Sequence, residues 1–164
     1  MKLIHVEAMG SLFYEMTLYI RDDDILVSST AWDDPFLRFK DIHELICKAH
    51  KKILHVPTIL VTEIQNFPQA IDYIKEETKQ GRMFPQLHGL KHIDYNKLSF
   101  NEIRSHLLEA KDWMFFNLGV CVTKWYTPWG ANSKILTDAA LSEDMILIDC
   151  SNTLGPGQAL EIVK

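Results

Sequence analysis

Residues 56–87 read VPTILVTEIQNFPQAIDYIKEETKQGRMFPQL, and this stretch holds the repeating unit of the fold. Its opening run, 56–62, is rich in Val, Ile and Thr, side chains that suit a pleated, half-buried strand. Pro68 has the fixed φ of a first helical turn and lacks an amide that such a turn would leave unbonded, so a helix is expected over 69–80. Gly81 stops that helix, and a second β-rich run comes next at 83–87. A strand, a crossover helix and a strand predict two parallel neighbours in one sheet.

The same alternation extends outward from this unit. Upstream, a β-rich run at 16–20 precedes a helix expected over 35–54, where Phe36, Phe39, Ile42, Ile46, Ala49 and Ile53 fall at three- and four-residue intervals and form one apolar stripe. Downstream, Ser99-Phe100-Asn101-Glu102 has the form of a capping box and opens a helix whose Ile103, Leu107, Ala110 and Met114 share a face. Further strands are expected at 119–124 and 145–149, with a helix from Asn132-Ser133 to Leu141 between them. The expected class is α/β: a mostly parallel sheet, open or curled into a distorted or incomplete (β/α) barrel, covered by helices. With 164 residues, 47% of them apolar, the chain can bury one substantial core but not two, so 1–164 is expected to be a single domain. No internal repeat, low-complexity tract or linker interrupts it.

A formal charge of −5 and a pI near 5.8 argue against nucleic acid or an anionic membrane as partner, because both demand a basic face. Cys47, Cys121 and Cys150 are odd in number and flanked by apolar residues, which suits small buried thiols in a reducing compartment. His5, Glu7 and Glu15 interrupt the apolar residues near the N-terminus, leaving neither a signal-peptide core nor a membrane span. The expected location is cytoplasmic, or outside after release without a signal peptide. The oligomeric state is not legible.

Reactive groups in parallel α/β folds gather at the carboxyl ends of strands. Three of these ends are unusual: Arg21-Asp22-Asp23-Asp24, His88-Gly89-Leu90-Lys91-His92, and Trp125-Tyr126-Thr127-Pro128-Trp129-Gly130. Two histidines four residues apart can share one face of a helical turn and hold one divalent metal, although the spacing also arises by chance. An acidic cluster after a strand is more often a solvated turn. Together they are more informative, because two imidazoles, one carboxylate and an open position for water make the ligand set of hydrolytic zinc sites. A second, neighbouring carboxylate could take the proton of that water. Asp22 and Asp23 would point to opposite sides of an extended backbone.

These three motifs, in this order, resemble the polysaccharide deacetylases of carbohydrate esterase family 4, the NodB homology domain. The family's first motif is a strand ending in an Asp-Asp pair, and Tyr19-Ile20-Arg21-Asp22-Asp23 is similar to it, with Asp24 where a glycine is usual. The resemblance implies Asp22 as general base and Asp23 as metal ligand. The second motif, His, Ser or Thr, two free positions and His, is matched by His88 and His92 as ligands, with Gly89 in place of the hydroxyl. The segment from Asp94 to Glu102 is similar to the one that ordinarily succeeds this motif in the family. The third motif, Arg, a variable residue, Pro, an aromatic and Gly, is matched at Pro128, Trp129 and Gly130, but Tyr126 stands in the arginine's place.

In the family that arginine orients the base, so Tyr126, or Arg21 from elsewhere, would have to substitute. The family's last motif is a Leu-rich strand ending in a histidine that acts as general acid. Here Ile146-Leu147-Ile148 ends in Asp149, and no histidine lies beyond position 106.

The resemblance covers roughly 17–149 and implies a divalent metal, zinc by its ligand set, held by Asp23, His88 and His92. It implies hydrolysis of N-acetyl groups on the amino sugars of a glycan, with Asp22 and Tyr126 among the catalytic residues and Trp129 and Pro128 along the sugar groove; in the absence of the family's histidine, the proton for the departing amine would come from Asp149, from a protonated Asp22 or from water. Water attack would generate an oxyanion, for which a backbone N–H near Tyr126 is the expected donor. Trp129 could equally fill core. Trp32 and Trp125 are expected to be packing residues, and His43, His50 and His55 surface or satisfied core histidines. Two other readings stay open: a degenerate member that binds sugar or protein without turnover, and a cytosolic hydrolase of small amides.

Overall fold

The computed structural model describes residues 18–26, 34–49 and 53–148. Trp32, His50, Asp149 and Cys150 lie outside the described residues. Five parallel strands form one sheet: β1 (Leu18–Asp22), β2 (Ile53–Leu60), β3 (Gln86–Gly89), β4 (Lys124–Trp125) and β5 (Ile146–Leu147). Their spatial order is their chain order, and among the described residues the sheet does not close. The helices between them are α1 (Pro35–Ala49), the short α2 (Val61–Ile64), α3 (Pro68–Lys79), α4 (Phe100–Leu118) and α5 (Lys134–Ser142). The expected α/β class with an incomplete parallel sheet is what the chain forms.

Where boundaries moved, the reason is local. The stripe expected over 35–54 breaks because α1 stops at Ala49 and Ile53 already pairs with β1. The run at 56–62 ends as a strand at Leu60, and Val61 turns into α2. The strand expected over 119–124 shrinks to Lys124–Trp125 because Gly119 caps α4 in the left-handed region, φ 73°, with its N–H on Phe115 and that of Val120 on Met114. That helix end uses the backbone groups a strand would have needed. At its other end α4 has the expected capping box, Ser99 and Glu102 each accepting the other's backbone N–H.

The core lies between sheet and helices. Ile59, Leu87 and Trp125 rise from β2, β3 and β4 to meet Ile74 of α3 and Leu107 of α4, all fully buried. Trp125 is therefore a packing residue, as expected. Cys47 is only half-buried and Cys121 is exposed, contrary to the buried thiols expected. The physical cause for Cys121 is the late start of β4: the residue sits in the loop between Gly119 and Lys124 instead of in the sheet.

Candidate metal centre

All three unusual strand ends meet at one edge of the sheet. Leu87 of β3 pairs with Trp125 of β4, and the Tyr126 N–H continues the ladder onto the Leu87 carbonyl at 2.8 Å. This N–H is therefore committed to the sheet. The Tyr126 carbonyl takes a different role, accepting from Nδ1 of His88 at 2.5 Å. With its proton on Nδ1, His88 presents the Nε2 lone pair to the site, the tautomer a metal ligand requires.

His88 Nε2 lies 3.3 Å and His92 Nε2 3.1 Å from one oxygen, Oδ1 of Asp24. Two ligand atoms about 2.0–2.1 Å from a shared ion at a tetrahedral angle stand about 3.3–3.4 Å apart, so these separations fit one small divalent cation. Among the described residues this is the one cluster of metal-ligating side chains. The carboxylate in it belongs to Asp24, whereas the motif match implies Asp23.

The one-residue shift has its cause in strand geometry. Residues of β1 alternate between faces, so Arg21 and Asp23 project to one side and Asp22 to the other. Asp23 is held on its side by Arg21 at 2.9 Å and by the Thr58 hydroxyl, which donates to it at 2.8 Å. Asp24 then leaves the strand with φ 54°, a left-handed conformation that Asp tolerates better than most residues, and this turns its carboxylate toward the histidines. Asp22, expected as the base, has a carboxylate oxygen 3.7 Å from His55 Nε2.

Arg21 is buried, and its guanidinium lies 4.9 Å from the centroid of the Tyr126 ring. Tyr126 and Arg21, the two substitutes considered for the absent arginine, thus lie against one another, the ring beside the cation that pairs with Asp23. Trp129 is exposed and sets its ring edge-on to His92 at 4.5 Å, so it borders the site instead of filling core. Its φ of 55° is unusual for a bulky residue and keeps the indole outside. Pro128, expected on the groove, is buried and opens the short 3-10 turn that carries Trp129.

Behind β1 and β2 lies a second polar group, legible in sequence only as scattered histidines. His43 of α1 and His55 of β2 are buried and meet through their Nδ1 atoms at 3.1 Å, while His43 Nε2 reaches Glu77 at 2.9 Å. Glu77 in turn holds Arg82 through both oxygens, at 2.5 and 2.6 Å. Burial pushes the His43 imidazole below its ordinary value, opposed by the Glu77 hydrogen bond, and the Arg82 hydrogen bond pulls the Glu77 carboxyl below its own.

Asp24 and Thr58 were not assigned roles in the site from sequence, and Arg21 was named only as one substitute for the absent arginine. An arginine two residues before an aspartate on a strand, and an aspartate just past the strand where glycine is tolerated, were the available signals. The Asp24-His88-His92 cluster at the strand ends of this open parallel sheet has the donor set and spacing that a small divalent cation takes.

No protein-family model and no curated protein matches the chain. Solved structures do match in fold. A family 4 carbohydrate esterase pseudoenzyme from Bacillus anthracis superposes with a TM-score of 0.61 at 17% identity, over 77% of this chain and 40% of that one. A Streptococcus pyogenes deacetylase in complex with acetate gives 0.59 at 15%, over 82% and 55%. A peptidoglycan N-acetylglucosamine deacetylase gives 0.60 at 16%, over 77% and 53%. The chain spans about half the length of these relatives or less, and what it shares with them is the fold. Among the described residues no helix is long and apolar enough to cross a membrane.

Proposed function

We propose that this chain is a divergent member of the polysaccharide deacetylases and a metal-dependent hydrolase of N-acetyl groups on the amino sugars of a glycan. The observation that carries the reading is the convergence of Asp24 Oδ1 and the Nε2 atoms of His88 and His92, with His88 already in the ligating tautomer. A divalent cation bound by these three, zinc by the donor set, would polarise the amide carbonyl and acidify a water.

The rest of the chemistry falls to the protein's own groups. Asp23, next to the ligand and gripped by Arg21 and Thr58, is the proposed acceptor of the attacking water's proton. It takes the role that the motif match implies for Asp22, whose carboxylate is turned to His55. Asp149, the second residue past β5 in sequence, is the proposed donor to the departing amine. Trp129 offers an exposed aromatic face beside His92 on which a sugar ring can lie.

A second reading, sugar binding without turnover, is favoured by one observation: a similar solved structure is a pseudoenzyme. The two readings separate in one experiment, acetate release from chito-oligosaccharides and peptidoglycan fragments with added zinc, using Asp24→Ala as the blank. The deacetylase reading expects release by the wild type alone. Equal rates from both, in a wild type that holds zinc, would leave the binding reading; acetate from small amides but not glycans would redirect the substrate class.

A further inference from the structure

His88 and Gly89 end β3 and residues 90–92 form bends, so no helical turn fixes the separation of the two imidazoles, and Gly89 offers no side chain to accept the amides between them. The missing acceptor is supplied from further along the chain. The Tyr95 hydroxyl accepts the N–H of Leu90 at 3.0 Å and that of Lys91 at 3.4 Å, two of the amides between the histidines. Tyr95 itself is fully buried and cannot drift. Its ring meets Trp125 edge-on at 5.1 Å and His106 at 5.9 Å, and Trp125 in turn donates its indole N–H to the His88 carbonyl at 3.1 Å.

The space at Gly89 is the second, independent observation. A Cβ added there would lie 2.8 Å from the Tyr95 hydroxyl oxygen and 3.3 Å from the Lys91 carbonyl, on a backbone with φ 157°. An oxygen already occupies the volume a side chain would need. The two residues are therefore one device, a glycine that admits a remote hydroxyl and a tyrosine that delivers it.

We infer that Tyr95 is the positioning residue of the His88/His92 pair, its hydroxyl capping the Leu90 and Lys91 amides through the gap left by Gly89, so that removing it misplaces His92 relative to His88. The inference rests on the metal-site reading above for its consequence, while the capping itself is independent of any ion. Partners of this kind, bonded to the scaffold of a ligand and not to the metal, typically change metal affinity by about 10–100-fold when removed.

The test is a four-protein cycle in the full chain: wild type, Tyr95→Phe, Gly89→Ser and the double substitution. Each is titrated with zinc against a chromophoric chelator, its cobalt spectrum is recorded, and its fold is checked by circular dichroism. Tyr95→Phe is expected to weaken zinc binding about 10–100-fold and to alter the cobalt spectrum even at saturation, which a loss of stability alone would not do. Gly89→Ser is expected to weaken binding because its added atoms meet the Tyr95 oxygen, and Gly89→Ala does the same should the serine variant fail to fold. In the double variant the loss is expected to be smaller than the product of the two single losses, since the closest obstruction, the oxygen at 2.8 Å, is gone and a local hydroxyl can take its place, although the ring carbon at 3.2 Å and the Lys91 carbonyl at 3.3 Å remain.

An unchanged affinity and spectrum in Tyr95→Phe, or single losses that simply multiply, would overturn the inference. A wild type that binds no zinc would end the metal reading instead. The capping would then be read from hydrogen exchange of the Leu90 and Lys91 amides, faster in Tyr95→Phe if the inference holds and unchanged if it does not.

Discussion

Arg21 and Asp23 sit two residues apart on one face of β1 and its continuation, and their side chains meet at 2.9 Å beneath the Tyr126 ring. A strand repeats its side-chain direction every second residue, so the pair needs no distant partner to bring it together. The arrangement puts a local arginine on the carboxylate next in sequence to Asp24 of the Asp24-His88-His92 cluster.

This pair yields the first prediction. Arg21→Ala is expected to lower deacetylation about 100-fold while leaving zinc content near one per chain, because a base freed to rotate is misplaced by an ångström or so. Arg21→Lys should recover only part of the loss, as an ammonium cannot keep the guanidinium's planar grip. Zinc analysis beside the rate measurement decides it: an Arg21→Ala protein that loses both in proportion would make Arg21 part of the scaffold and not of the base.

The adjacent carboxylates should separate cleanly. Asp24→Asn is expected to abolish stable zinc binding, and Asp23→Asn to keep zinc while slowing hydrolysis by about 10²–10⁴. Asp22→Asn, altering a group turned to His55, should change neither by more than a few fold. Retention of zinc by Asp24→Asn with loss in Asp23→Asn would restore the ligand assignment that the motif match implies.

Trp129 is 65% exposed and touches His92, so its removal should be felt by substrate more than by fold. Trp129→Ala is expected to raise KM for a chito-oligosaccharide about 5–20-fold, the scale of one lost aromatic contact of about 1–2 kcal/mol, with the melting temperature nearly unchanged. A fall in melting temperature without a change in KM would assign the indole to packing.

The hydrogen-bonded pair of His43 and Glu77 is expected to make stability depend on pH. His43 has its pKa lowered from 6.5, first by burial, so the unfolded chain binds its proton more readily than the folded one. Stability from this residue is full above about pH 6.5 and is lost as pH falls through the lower folded value. His106 titrates in the same direction for the same reason. Glu77, lowered from 4.5 first by its hydrogen bond with Arg82, adds a further loss at more acid pH. Urea denaturation from pH 8 to 4 should therefore show a steady decline, with Glu77→Gln costing about 1–3 kcal/mol at neutral pH and flattening the acid part of the curve. A profile identical in both proteins would show that the network is not linked to folding.

The order of strands and helices, the capping box at Ser99, the stop at Gly81 and the grouping of His88 with His92 were all legible along the chain. Each depends on interactions within a few residues: a hydroxyl three positions from an amide, a proline at a first turn, and two side chains four residues apart, which meet across the bends after β3 and not on the helical turn that their spacing suggested. Strand limits were less legible because pairing sets them, and β4 lost most of its expected length to the cap that ends α4.

The choice among Asp22, Asp23 and Asp24 was decided only by the tertiary structure. Three identical side chains in a row carry no local difference, and their roles separate when β1 is laid beside β2. His55 then takes Asp22 on one face, Thr58 takes Asp23 on the other, and the left-handed turn at Asp24 carries the third carboxylate to the histidines. Sequence by itself determined that this chain would build a parallel α/β sheet with carboxylates and imidazoles at its strand ends, because periodicity and turn chemistry are local. Which carboxylate meets the imidazoles depends on strand register and one backbone torsion, quantities that exist only once distant segments have paired.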